Sequence, residues 1–112
     1  MKKWRVIILP SAGEDIDGIY TYIATVLMKP VTAVRLVTRF KKAILSLNNM
    51  PERYRLYDKE PWRSKGLRSF SVGNYIIFYH TAPKSNTVFI DSVIYGGRDL
   101  DRVIEEKDLI NT

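Results

Sequence analysis

Gly73-Asn74-Tyr75-Ile76-Ile77-Phe78-Tyr79 is the stretch on which the fold turns. Gly-Asn is a tight-turn signal. The apolar and aromatic run after it is too short for a free-standing helix and apolar on both sides of a pleat. It predicts a buried central β-strand over Tyr75 to Thr81, with Ile77 and Tyr79 on one face and Ile76 and Phe78 on the other. Working outward, Leu67 to Val72 leads into the turn, and Thr87 to Tyr95 follows a looser turn at Ala82 to Asn86. Three consecutive strands make an antiparallel meander. The last delivers Gly96-Gly97-Arg98-Asp99-Leu100, a charged pair at the end of a rigid element, where functional side chains are commonly mounted.

Upstream, Lys3 to Leu9 reads as a first strand ended by Pro10. Ser11 and Glu14 match a capping box, Asp15 and Asp17 suit the first turn of a helix, and Ile16, Ile19, Tyr20, Ile23 and Leu27 recur at helical spacing to about Met28. Pro30 opens a second helix, whose apolar stripe is Ala33, Leu36, Val37, Phe40, Ile44 and Leu47. Arg35, Arg39 and Lys42 share another face of it. Residues 51 to 66 are irregular, and Asp99 to about Lys107 makes a short acidic helix. The order β-α-α-β-β-β-α is an α+β class: one domain over residues 1–112, a small antiparallel sheet joined by the first strand and covered on one face by an αα-hairpin.

The chain has 112 residues, no cysteine and a net charge of +6. Residues 1–97 hold 15 basic and 7 acidic side chains, and residues 98–112 hold 3 and 5. A basic body points to an acidic partner, nucleic acid or protein. Without cysteine there is no disulfide, thiol nucleophile or thiolate metal site. No apolar stretch approaches a membrane span, so a soluble, cytoplasmic protein without membrane contact is expected.

The chemistry-bearing residues are sparse. His80 is the single histidine, carboxylates are scattered, and Gly96-Gly97 is no phosphate loop, so neither metal nor cofactor is expected. His80 reads as structural, and Asp91, inside the last strand, is expected to face out. Residues 53 to 68 interleave Arg53, Arg55, Lys59, Arg63, Lys65 and Arg68 with Tyr54, Tyr57 and Trp62. That mixture suits single-stranded nucleic acid, where cations meet phosphates and rings stack on bases; it equally suits a solvated loop pinned by Trp62. Arg68 and Arg98 could converge on one side of the sheet to grip an anion, while Arg98 could instead pair with Asp99 or Asp101.

Taken together, five segments resemble the RelE/ParE superfamily of bacterial toxins. They are Asp15-Ile16-Asp17-Gly18-Ile19-Tyr20-Thr21-Tyr22-Ile23, Ile44-Leu45-Ser46-Leu47 with Met50-Pro51-Glu52-Arg53, Gly66-Leu67-Arg68, Val72 to Tyr79, and Val93-Ile94-Tyr95-Gly96-Gly97-Arg98-Asp99-Leu100. The resemblance implies the toxin of a type II toxin–antitoxin module, neutralised by an acidic antitoxin, alone as a homodimer or within a toxin–antitoxin hetero-oligomer. One branch, RelE-like, cuts messenger RNA on the ribosome; the other, ParE-like, inhibits DNA gyrase. RelE-like nucleases resemble one another in strand lysines, an arginine after the central Gly-Tyr, an arginine ending the last strand and a tyrosine six residues on. Here those places offer Arg68 but no lysine, then Ile76, Arg98 and Ile104. Isoleucine neither moves protons nor stabilises charge, and the long hairpin is also similar to the ParE branch, so gyrase inhibition is expected. Arg98 would be catalytic only in a nuclease. Arg35, Arg39, Lys42, Arg53, Arg68, Tyr75, Tyr79 and Arg98 are the expected contacts to target or antitoxin.

Overall fold

A computed structural model of the chain describes residues 3–97 and 99–110. Four strands, β1 (Arg5–Ile8), β2 (Arg68–Val72), β3 (Tyr75–Ala82) and β4 (Thr87–Tyr95), form one sheet in the order β1-β4-β3-β2. β3 is interior, as its two apolar faces require. Val72 pairs with Tyr75 across the Gly73-Asn74 turn, where Gly73 takes φ +59°, a left-handed conformation that costs glycine little. β1 runs parallel to β4, so the sheet is mixed, not wholly antiparallel. No tight turn joins β1 to β4, and nothing local in the sequence sets their relative direction.

Helix α1 (Pro10–Thr21) starts at Pro10, with Leu9 in extended conformation before it and no side-chain cap. The Ser11–Glu14 capping box therefore does not form: Ser11 already lies inside the helix, and its Oγ donates to the Asp91 carbonyl at 2.8 Å. Proline at the first helical position removes one of the N–H groups that a helix start leaves unpaired. α1 also stops short of Met28, passing into a wider π turn over Tyr22–Val26. Met28 then adopts φ 54° and redirects the chain into α2 (Pro30–Leu45).

The α1–α2 hairpin buries Ala12, Ile16, Phe40, Ile44 and Leu47 against Val72, Ile77, Tyr79, Val88, Ile90 and Val93. The opposite face of the sheet is not left to solvent, contrary to the one-layer expectation. Phe78 and Ile94 there are covered by Trp62 and Leu67 from the long connection and by Ile104 and Leu109 from α3 (Leu100–Lys107) and the turn after it. Burying a large apolar side chain contributes roughly 1.5–3 kcal/mol, so α3 is held mainly by Ile104 and Leu109. Polar ties supplement them. Asp101 pairs with Lys59 and accepts from the Tyr57 hydroxyl at 3.0 Å. Asp15 of α1 accepts from Lys107 Nζ at 2.6 Å, from Ser92 Oγ at 2.6 Å and from the Val93 N–H at 3.0 Å.

Candidate functional site

α2 carries Arg35, Arg39, Lys41 and Lys42 and no acidic residue. All four are exposed, and none is in an ion pair among the described residues. Their positions follow from the amphipathic register: with Ala33, Phe40 and Ile44 turned to the sheet, Arg35, Arg39 and Lys42 fall on the outer side. Arg39 lies across the β2–β3 turn, its Nη1 3.6 Å from where a Cβ on Gly73 would stand. Arg39 and Lys42 share a groove with Ala43, Ser46, Ser71, Val72 and Gly73. The three expected α2 contacts are thus brought together, on the side of the molecule where β2 is the edge strand.

The remaining expected contacts are placed differently. Arg53 folds back on the turn that follows α2, donating to the Asn49 carbonyl at 2.7 Å and to Ser46 Oγ at 2.9 Å. Arg68 is half-buried and donates to the Tyr54 carbonyl at 2.6 Å, tying the long connection to β2. Tyr75 is half-buried, edge-on to both Phe40 and Tyr95, and desolvation raises its pKa. Tyr79 is fully buried; its hydroxyl donates to the Pro51 carbonyl at 2.6 Å, and desolvation pushes its pKa up to about 12. It presents nothing to a partner directly. Arg98 lies outside the described residues. Arg68 stands level with Tyr79, whereas β4 ends level with Tyr75, four residues away along β3.

The aromatic residues of the long connection face inward. Tyr54 stacks on Phe70 with centroids 4.5 Å apart, and Tyr57 meets Trp62 and Phe78 edge-on. Rings so occupied are not platforms for bases, and the pinned-loop reading describes this segment. Ile104 is fully buried and Ile76 packs against the same cluster. Asp91, expected to face out, is only 4% exposed. The β4 register shifts beside it, opposite Phe78 and Tyr79, and a bulge of this kind re-aims a side chain. Its Oδ2 lies 2.7 Å from His80 Nδ1, and the imidazole stacks on Phe89.

Sequence reasoning missed an apolar surface at the hairpin tip. Tyr22, Val26, Leu27, Met28, Val31 and Val34 are exposed. Tyr22 and Leu27 line a groove of about 700 Å³ with Ile19, Tyr75, Val93 and Tyr95. The signal was the run Val26-Leu27-Met28 just before Lys29-Pro30, where a solvated interhelical turn would be more polar. Among the described residues no group of three His, Asp or Glu side chains could hold a metal ion, and no helix is long and apolar enough to cross a membrane.

A family model described as the ParE toxin of the type II toxin–antitoxin system parDE matches residues 6–100. Among solved structures, the chain is similar to one from the chromosomal ParDE system of P. aeruginosa. The TM-score is 0.70 at 16% identity, covering 87% of this chain and 100% of that one. It is also similar to one from the RelBE2 toxin–antitoxin complex of Mycobacterium tuberculosis, with a TM-score of 0.62 at 19% identity, covering 83% and 98%. No curated protein matches the sequence significantly.

Proposed function

The chain belongs to the ParE toxin family of type II toxin–antitoxin systems, and we propose that it arrests growth by binding and inhibiting DNA gyrase, held in check by a cognate acidic antitoxin. The observation that carries this reading is the chemistry at Ile76 and Ile104. RNA cleavage by its own 2′-hydroxyl needs a group to take a proton and others to hold the developing charge. At these two places the chain has apolar side chains packed into the second core cluster. The Tyr79 hydroxyl, which could otherwise have moved a proton, is committed inside the core. A binding protein needs no such groups. For the antitoxin, the support is the uncompensated basic face of α2 and the similarity to proteins from ParDE and RelBE2 systems.

The test is purified toxin in two assays run side by side, gyrase-catalysed DNA supercoiling and cell-free translation with mapping of message ends. Inhibited supercoiling with intact messages is expected. Cleavage of ribosome-bound messages that disappears in Arg98→Ala would overturn the gyrase reading in favour of the nuclease branch. On the gyrase reading, Arg98→Ala weakens inhibition without abolishing it at high dose, because one cation is one contact among several.

A further inference from the structure

We propose that the pocket between the start of α1, the sheet face opposite the hairpin and the turn after α3 binds a small organic cation, an amine or amidine on an apolar body, through His80 and Asp91. The proposal is independent of the gyrase and antitoxin readings.

Two polar atoms converge there. His80 and Asp91 line the same pocket, and the irregularity in β4 sets Asp91 outside the regular pairing with β3. His80 Nδ1 lies 2.7 Å from Asp91 Oδ2. A carboxylate only accepts, so Nδ1 carries the proton, and Nε2 of the neutral ring presents a lone pair. Phe89 stacks on the imidazole and fixes its plane. Neither Nε2 nor Asp91 Oδ1 bonds to another group among the described residues. Yet no buried side-chain nitrogen or oxygen there lacks a partner, so both atoms open into the pocket. A latch between β3 and β4 needs only the Oδ2–Nδ1 bond. It would leave a carboxylate 4% exposed against one neutral partner, a costly state for a buried charge. A ligand with N–H donors satisfies both acceptors, and its positive charge balances the carboxylate.

The surroundings select the rest of the ligand. The pocket holds about 350 Å³, and Leu9, Phe89, Leu109 and Ile110 wall it, so an apolar body fits between them. Asp108 adds a second carboxylate to the lining. Lys107, the ammonium in that lining, is held by Asp15 at 2.6 Å. The uncapped start of α1, where Ser11 joins the lining, would draw an anion, but the two carboxylates oppose one. A metal ion finds too few ligands, since no group of three His, Asp or Glu side chains among the described residues could hold it.

The probe is benzamidine, with benzamide, benzoate and zinc chloride as comparisons. Each is titrated into the whole toxin and followed by NMR. We expect benzamidine to shift the His80 ring and Leu109 methyl signals, and to move the Nε2 nitrogen signal as that atom gains a donor. Benzamide keeps the shape and loses the charge, so it should bind roughly ten- to hundredfold more weakly. Benzoate should not bind. Asp91→Asn and His80→Gln should each weaken benzamidine by about tenfold or more. Asp17→Asn, the same charge change at an exposed position of α1, should leave its affinity unaltered. Thermal unfolding checks that the variants fold, and the comparison of probes on the unaltered toxin decides the matter if they do not. No benzamidine-induced shift at His80, benzamide or benzoate bound as tightly as benzamidine, or equal affinity in Asp91→Asn and Asp17→Asn would overturn the proposal. So would zinc shifting the His80 signals where benzamidine does not, which would make the pocket a metal site.

Discussion

The phenol of Tyr79 donates to the Pro51 carbonyl inside the core, and that bond decides what the residue can do. Tyr79→Phe removes the donor and leaves a buried carbonyl unsatisfied, at an expected cost of about 1–3 kcal/mol, read as a lowered urea midpoint with an unchanged m-value. The same burial gives a pH dependence. Desolvation, joined at Tyr57 by the hydrogen bond to Asp101, raises Tyr79 and Tyr57 from 10.0 to about 12. The folded state thus holds these protons where the unfolded chain releases them. Their contribution is full below pH 10 and is lost as pH climbs toward 12. Urea unfolding should show a steep decline above pH 10 that flattens in a Tyr57→Phe, Tyr79→Phe double variant; an unchanged slope would contradict the assignment. Asp15 is the other residue with several obligations. Asp15→Asn can still accept from Ser92 and Val93 but gives up the charge that faces Lys107, and about 1.5–3 kcal/mol of stability should go with it.

Among the elements, legibility followed the locality of the signal. β4 ends where its composition says, because glycines follow Tyr95 and the Asn86 turn precedes it. The Gly73-Asn74 turn and the α2 stripe were readable for the same reason: a turn's backbone demand and a helical period are written in adjacent residues. The start of α1 was not, because the Ser11 hydroxyl had two possible partners, the Glu14 N–H as donor and the Asp91 carbonyl as acceptor, and the one it takes lay 80 residues away. Nor was the burial of Asp91, which depends on a bulge created by pairing with β3. The role of α3 was hidden as well. Its charges read as a solvated helix, while Ile104 and Leu109, four and nine residues after Leu100, close the second face. Of the expected contacts, Arg35, Arg39 and Lys42 were legible as one face from spacing alone, whereas Arg68 serves the Tyr54 carbonyl, which only the folded chain brings near. Ile104→Ala tests the α3 assignment. It should cost about 2–4 kcal/mol, the range for truncating a fully buried aliphatic side chain. Glu105→Ala, exposed on the same helix, should cost less than about 0.5 kcal/mol. Equal losses would mean that α3 is not docked through Ile104.

For the whole molecule, charge is separated between the body and the chain end. The chain carries +6 overall, and its acids in α1 and α3 are partly consumed by internal pairs with Lys107, Lys59 and Arg102. The cations of α2 are not so consumed. The field outside the α2 face is therefore positive over distances longer than any single contact, and it should draw an acidic partner toward that face before contacts form. Screening shortens this reach: the Debye length falls from roughly 14 Å at 0.05 M salt to about 4 Å at 0.5 M. Stopped-flow association with the antitoxin should thus slow by about tenfold or more over that range, while the dissociation rate, set by short-range packing and backbone hydrogen bonds, changes little. Arg39→Glu with Lys42→Glu should flatten the salt dependence as well as lower the rate, because it removes the source of the field. An association rate indifferent to ionic strength would mean that the basic face takes no part in encounter, and the partner would then be recognised through the apolar hairpin tip instead.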